Sequence, residues 1–359
     1  MSARPFTWRL APSRADVVLE RGSGAWSETW RRLRENRFAL CALVFLALVA
    51  LASLLAPLLP LPSPAALVLS GRPTPPIAPW TEFGNHGFVR EYWRLSALDS
   101  ALVDLRAWLF GDWQTGAWLG TDAKGRDLLA RIVWGSRTSL AVALLAMATS
   151  LAIGVTWGAL AGYVGGRLDR VMMRIVDVLY SLPFIFVVIF LITVMQGWKE
   201  LLETRLGLDR EAVFYLTIGA VYWLTMARVV RGQVLSLRRA EFVDAARQMG
   251  ASTPRILFVH VVPNVLGIVI VYLTLSIPSV MLFESFLSFL GLGIEAPKVS
   301  WGLLAVDSAE TITPLGIDWW LLVWPALAMG TTLLALNVLG DGLRDALDPR
   351  SSNARKAEA

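Results

Sequence analysis

The chain holds few nitrogen or sulfur side chains of the kind that bind a transition metal. Histidine occurs only at His86 and His260, and the single cysteine is Cys41. Residues so far apart give no metal-ligand spacing, and one cysteine excludes a disulfide framework. There is no glycine-rich phosphate loop and no helix with paired zinc-binding histidines, so the sequence offers no site for hydrolysing a nucleotide or a peptide bond. The nucleophile–base pair of an intramembrane enzyme is also missing. What remains is charge set in apolar surroundings. Glu284 stands among Phe283, Phe286, Leu287 and Phe289, where a carboxylate is costly in lipid and must face protein or a water-filled path. With Phe283 it reads as a gate or a contact for the amine of a passing solute. The simpler reading is a hydrogen-bonded anchor for the loop 291–297.

The most informative stretch is 239–250, RAEFVDAARQMG. Phe242, Ala245, Ala246 and Met249 recur at helical spacing as one apolar stripe, with Glu241, Asp244 and Gln248 opposite. Gly250 fits the residue after a helix end, where φ is positive. Thr253 and Pro254 then supply a cap and a first-turn proline for a second helix, which Pro263 is expected to interrupt. A stripe built of small residues fits a cleft. Acids at 241 and 244 would be repelled by anionic lipid, so a protein partner suits the segment better than a bilayer surface.

The elements that must position these residues are membrane spans. Of 359 residues 55% are hydrophobic and 17% charged, too little charge to clothe a soluble domain of this length. Apolar stretches of crossing length occur at 38–59, 138–166, 178–198, 212–227 (extended past Arg228), 261–283 and 319–340, which predicts six helices in an all-α polytopic membrane protein. Of the 33 Lys and Arg, 21 fall on the side of the N-terminus. The two short loops on the far side hold four, and the long loop 60–137 is exempt from the rule because such loops translocate regardless of charge. Both termini are therefore expected in the cytoplasm, and the net charge of +5 reflects topology rather than nucleic acid. A basic tail 1–37 precedes the first span, which is too long for a signal peptide and lacks a cleavage site.

Four further patterns concern packing. Trp26, Trp30 and Leu33, with Arg31, Arg32, Arg34 and Arg37 around them, read as an amphipathic helix on membrane lipid or as an unstructured basic tail. The loop 60–137 is first proline-rich (Pro73, Pro75, Pro76, Pro79). Leu95, Leu98, Leu102, Leu105 and Leu109 then share a helix face, with Asp99, Asp104 and Arg106 turned away. Trp80, Trp93, Trp108, Trp113 and Trp118 suit a membrane boundary. Ala146, Ser150, Gly154, Gly158 and Gly162 form a small-residue face for close helix packing. Thr121 or Asp122 is placed to cap the helix that follows, with Arg126 and Asp127 in its first turn. Arg174 and Asp177 read as an i, i+3 pair.

Asp244-Ala245-Ala246 with Gly250 and Pro263 resembles the EAA loop of ATP-binding-cassette (ABC) importer permeases. Asp244 stands where that pattern has Glu, and His260 where it has an apolar residue. His260-Val261-Val262-Pro263-Asn264 is similar to the peptide-permease version. Leu119-Gly120-Thr121-Asp122 with Gly125-Arg126-Asp127 resembles the LGTDxxGRD motif of dipeptide and oligopeptide permease C subunits. Residues 226–233, 282–293 and 340–349 resemble the oligopeptide branch, and the likeness runs from about 26 to 349. The loop 61–118 is longer than in that family.

The resemblance implies a type I importer permease fold, with five core helices in 138–340, a coupling loop at about 239–263 and a cytoplasmic tail at 341–359. Glu241, Phe242, Asp244, Ala245, Ala246, Arg247, Met249 and Gly250 would contact an ATPase. The implied partners are a homologous B-type permease, two ATPases of D/F type and an extracytoplasmic peptide-binding protein. ATP and magnesium would sit on the ATPases, leaving no cofactor here. Nickel chelates, sugars or peptide antibiotics are alternative cargoes of the same architecture. A secondary transporter would instead need mid-membrane ion sites and inverted repeats, and neither is found.

Overall fold

A computed structural model describes residues 25–66, 73–76, 95–198, 210–294, 297–309, 312–313 and 316–347. Trp80, Trp93, Pro79 and the tails before 25 and after 347 lie outside this set. The described chain is helical: α1 (Ala25–Glu35), α2 (Arg37–Leu54), α3 (Ala97–Phe110), α4 (Leu128–Val164), α5 (Gly166–Ser181), α6 (Phe184–Gly197), α7 (Arg210–Leu237), α8 (Glu241–Gln248), α9 (Thr253–Phe289), α10 (Trp301–Ala309) and α11 (Trp319–Leu347). One two-residue hairpin, β1 (Ile312–Thr313) against β2 (Gly316–Ile317), precedes α11. Among the described residues α2, α4, α9 and α11 are long and apolar enough to cross a bilayer, and α5 with α6 makes a fifth candidate if the bent pair is one span.

Three spans differ from the sequence expectation. The stretch 178–198 is not one rod: α5 and α6 meet at 92°. Pro183 causes the break, because its ring drives the preceding residue out of helical geometry, and Leu182 sits at φ −75°, ψ 136°. The helix that carries the second span begins ten residues earlier, at Leu128, so 128–137 is helical. Pro263 does not interrupt α9. Its missing N–H falls just after a π-helical segment, Ile256–Val261, whose wider turn carries the helix past it. Ser252, not Thr253, holds the N-cap position of α9, and Pro254 follows inside the first turn.

The small-residue face of α4 packs on α7. A Cβ on Gly158 would lie 2.3 Å from the Ala227 carbonyl oxygen, and one on Gly154 would lie 2.7 Å from Met226 Cβ. The Ser150 hydroxyl donates to the Tyr222 carbonyl at 3.2 Å. Such contact supplies the dispersion that lipid cannot drive hydrophobically. On α1, Leu33 is buried against Ala39 of α2 and Ala346 of α11, whereas Trp30 is exposed under the Arg34 guanidinium. On α3 the residues facing the bundle do not include the leucine face. Val103 and Arg106 are buried, Asp99 pairs with Arg137 at 2.8 Å, and Leu98, Leu105 and Leu109 are exposed.

Candidate functional site

α8 is a two-turn helix held against the bundle by one side only. Val243 and Ala246 are fully buried among Tyr163 of α4, Val234 of α7 and Ile256, Leu257 and Val261 of α9, with Phe242 half-buried beside them. Glu241, Asp244, Ala245, Gln248 and Met249 are exposed, Met249 to 80%. The single stripe expected from sequence is therefore divided. Ala246 and Phe242 turn inward, while Ala245 and Met249 stay outside with the acids. Val243, which the stripe omitted, anchors the helix.

The helix ends as its sequence requires. The Gly250 N–H donates to the Arg247 carbonyl at 2.9 Å and the Ala251 N–H to the Ala246 carbonyl at 3.0 Å, the paired bonds of a Schellman cap. Gly250 sits at φ +80° with open space around it. Arg247 donates to Asp244 at 3.0 Å and reaches back to the Tyr163 hydroxyl at 3.4 Å. That hydroxyl, with Asp244 adding to it, holds the guanidinium pKa above its ordinary value, so its charge is permanent.

Glu284 is 1% exposed. Its Oε1 accepts from the hydroxyls of Ser288 at 2.9 Å and Ser300 at 2.8 Å, and Ser300 Oγ in turn accepts from the Leu303 N–H at 3.1 Å. The carboxylate thus ties α9 to the start of α10. Phe283 stacks edge-on against Phe184 of α6, with centroids 4.5 Å apart.

The segment before α4 makes a charged clamp that includes a residue the sequence did not single out, Asp307. Asp122 Oδ2 accepts from Arg126 Nε at 2.6 Å and Arg131 Nη1 at 2.7 Å, and Asp307 Oδ2 accepts from Arg131 Nη2 at 2.7 Å. Only an acid inside the otherwise apolar α10 hinted at it. Neither Thr121 nor Asp122 caps α4. Asp127 does, accepting from the Ala130 N–H at 2.6 Å. Burial pushes the Asp127 carboxyl up to about 7, against the lowering effect of the Ala130 and Leu129 amides. Asp177 pairs with Arg228 of α7 at 2.9 Å, not with Arg174.

A groove of 1350 Å³, also unread in the sequence, runs between α1, α4, α7, α9 and α11. Its wall carries neutral hydrogen-bonding groups such as Ser150, Tyr222, Tyr272, Ser276 and Ser279, and Glu28, Arg32 and Arg344 also line it. No cluster of metal-ligating side chains occurs among the described residues.

Residues 154–353 match the family described as binding-protein-dependent transport system inner membrane component, and residues 24–76 match the N-terminal TM domain of oligopeptide transport permease C. The oligopeptide transport system permease protein OppC of Escherichia coli K12 is 41% identical over 92% of this chain and 92% of its own. OppC of Haemophilus influenzae is 38% identical over 96% of this chain and 94% of its own, and the dipeptide transport system permease protein DppC of Bacillus subtilis is 38% identical over 94% and 89%. A chain of the MetNI methionine ABC transporter aligns with 62% of this chain and 98% of its own at 19% identity and a TM-score of 0.48. With one family spanning 154–353 and relatives of this identity along nearly the whole length, the chain belongs to the binding-protein-dependent transport system inner membrane components, in the branch of oligopeptide and dipeptide permease C subunits.

Proposed function

We propose that the chain is the C-type permease subunit of an ATP-driven peptide importer in the bacterial inner membrane. It crosses six times, with α6 and α7 completing the set and both termini in the cytoplasm. It pairs with a homologous B-type permease, and its groove forms one wall of the peptide path. α8 sits in a cleft of a D/F-type ATPase, which binds ATP and magnesium, and an external binding protein delivers the peptide. Glu241, Asp244, Ala245, Met249 and Gly250 make the ATPase contact, with Arg247 orienting Asp244. Val243, Ala246 and Phe242 carry its movement to α4, α7 and α9.

The division of α8 supports this reading. A helix with its inner side buried in the bundle and an outer side bearing Glu241, Asp244, Ala245 and Met249 is built to be pushed by something outside. Glu284 and Phe283 serve this path by fixing α10 and α6 around it. The experiment is uptake of labelled peptide into proteoliposomes, with and without the ATPases, and with Ala245→Cys cross-linked to them. Uptake needs all subunits, and the cross-link forms; uptake by this chain alone overturns the reading.

A further inference from the structure

Two successive glycines with positive φ, Gly165 at +71° and Gly166 at +63°, turn the chain out of α4 and into α5. At its other end α5 meets α6 at 92°. If α6 crosses the bilayer, α5 lies along the bilayer surface. It is 16 residues long, about 24 Å.

At 100° per residue α5 divides into three sectors. Asp169, Met172 and Val176 are buried against the bundle. Leu168, Val171, Ile175, Val178 and Leu179 form an apolar sector that is exposed, Val171 to 59%. Arg167, Arg170 and Arg174 follow on the next sector, all exposed.

The acids of α5 cannot neutralise these arginines. Asp169 is held by Arg231 at 2.7 Å, and Asp177 by Arg228 at 2.9 Å. Among the described residues Arg167, Arg170 and Arg174 form no ion pair. An apolar sector beside an uncompensated basic one is the pattern of a helix lying in a membrane interface. There, alkyl chains cover the apolar side and lipid phosphates meet the guanidiniums.

We infer that α5 is an in-plane membrane helix whose Arg167, Arg170 and Arg174 bind the headgroups of anionic phospholipids in the leaflet facing the cytoplasm. Continuity supports lipid over a protein partner, since α6 enters the bilayer directly from the end of this helix. Both the lipid contact and the side of the membrane rest on the topology proposed above.

The test uses the assembled transporter in nanodiscs of phosphatidylcholine mixed with phosphatidylglycerol. A bimane label at Val171→Cys is challenged with brominated acyl chains, and the lipid retained on purification is quantified. The label is quenched, and phosphatidylglycerol is enriched at least about threefold over the bulk mixture. Replacing all three arginines by Gln abolishes the enrichment while quenching persists. An unquenched label means that a protein covers this face, and unchanged enrichment in the triple variant means that the arginines do not bind the headgroups. Either result overturns the inference. Peptide uptake measured on the same samples separates it from the transport reading, because loss of uptake with quenching and enrichment intact would count only against transport.

Discussion

Arg231 of α7 grips Asp169 of α5 with two nitrogens of its guanidinium, Nη2 lying 2.7 Å from Oδ2 and Nε bonding to Oδ1. A two-point contact fixes orientation as well as distance, so this pair sets how α5 leans on the bundle. The carboxylate is largely covered and the guanidinium is one-third exposed, which places the pair between a surface bridge and a buried one. We expect Asp169→Ala to cost about 1–3 kcal/mol. The double variant with Arg231→Ala should cost less than the sum of the singles. Thermal unfolding of the four proteins in detergent measures the coupling, and strict additivity would refute it.

The two sides of α8 should separate experimentally. Val243→Asp buries an unpaired charge beneath the helix, costs about 3–5 kcal/mol and lowers the yield of folded protein. Ala245→Asp lies on the exposed side and leaves folding intact, but it uncouples peptide uptake from ATP hydrolysis. Gly250→Val meets open space, so its effect is backbone strain alone, about 1–2 kcal/mol, with α8 re-aimed and uptake reduced. Normal uptake by both Ala245→Asp and Gly250→Val would remove α8 from the coupling route.

Reversing charge on the exposed side tests the partner's sign. Asp244→Lys, alone or with Glu241→Lys, weakens co-purification of the ATPases by about tenfold or more. Asp244→Glu stays within about twofold of the parent, because it keeps the charge and the pairing with Arg247. Failure of Asp244→Glu as severe as that of Asp244→Lys would contradict a charge contact.

Asp127 gives a pH signature. Its carboxyl titrates near 7 in the folded chain against an ordinary value of 3.8, so the fold holds a proton that the unfolded chain releases. Stability therefore falls as pH rises from about 4 to 7 and is level above that. Asp127→Asn keeps the helix cap and removes the titration. Its advantage in melting temperature over the parent should be small at pH 5 and larger at pH 8. A gap that is the same at both values would show that Asp127 is ionised throughout.

Local chemistry in this chain was readable where it depends on neighbours in sequence. The cap at Gly250 and the seam from Ala146 to Gly162 follow from residue type and spacing, and the structure has both. Facing was not readable. In a membrane protein apolar residues are at home against lipid, partner or bundle, so periodicity shows that α3 and α8 have sides without showing which side is inward. Hence Leu98, Leu105 and Leu109 of α3 are exposed while Asp99 pairs with Arg137, and Val243 rather than Ala245 anchors α8. The bend at Pro183 was visible as a proline but was overridden by the run of apolar residues around it. Partners distant in sequence, such as Asp307 for Arg131 or Arg228 for Asp177, leave no local trace.

The π-helical segments Ser150–Val155 and Ile256–Val261 can be regarded as single-residue insertions within otherwise continuous α-helices. Elsewhere in a span, deleting one residue rotates everything beyond it by about 100° and turns packed side chains away from their partners. Within these two segments, the same deletion converts the wide turn to an ordinary one and leaves the following helix in register. Scanning deletions along α4 and α9, read by folded yield, should therefore find tolerance at these two places and sharp loss on either side. Each wide turn is thus a point where chain length can change without disturbing the rest of the bundle.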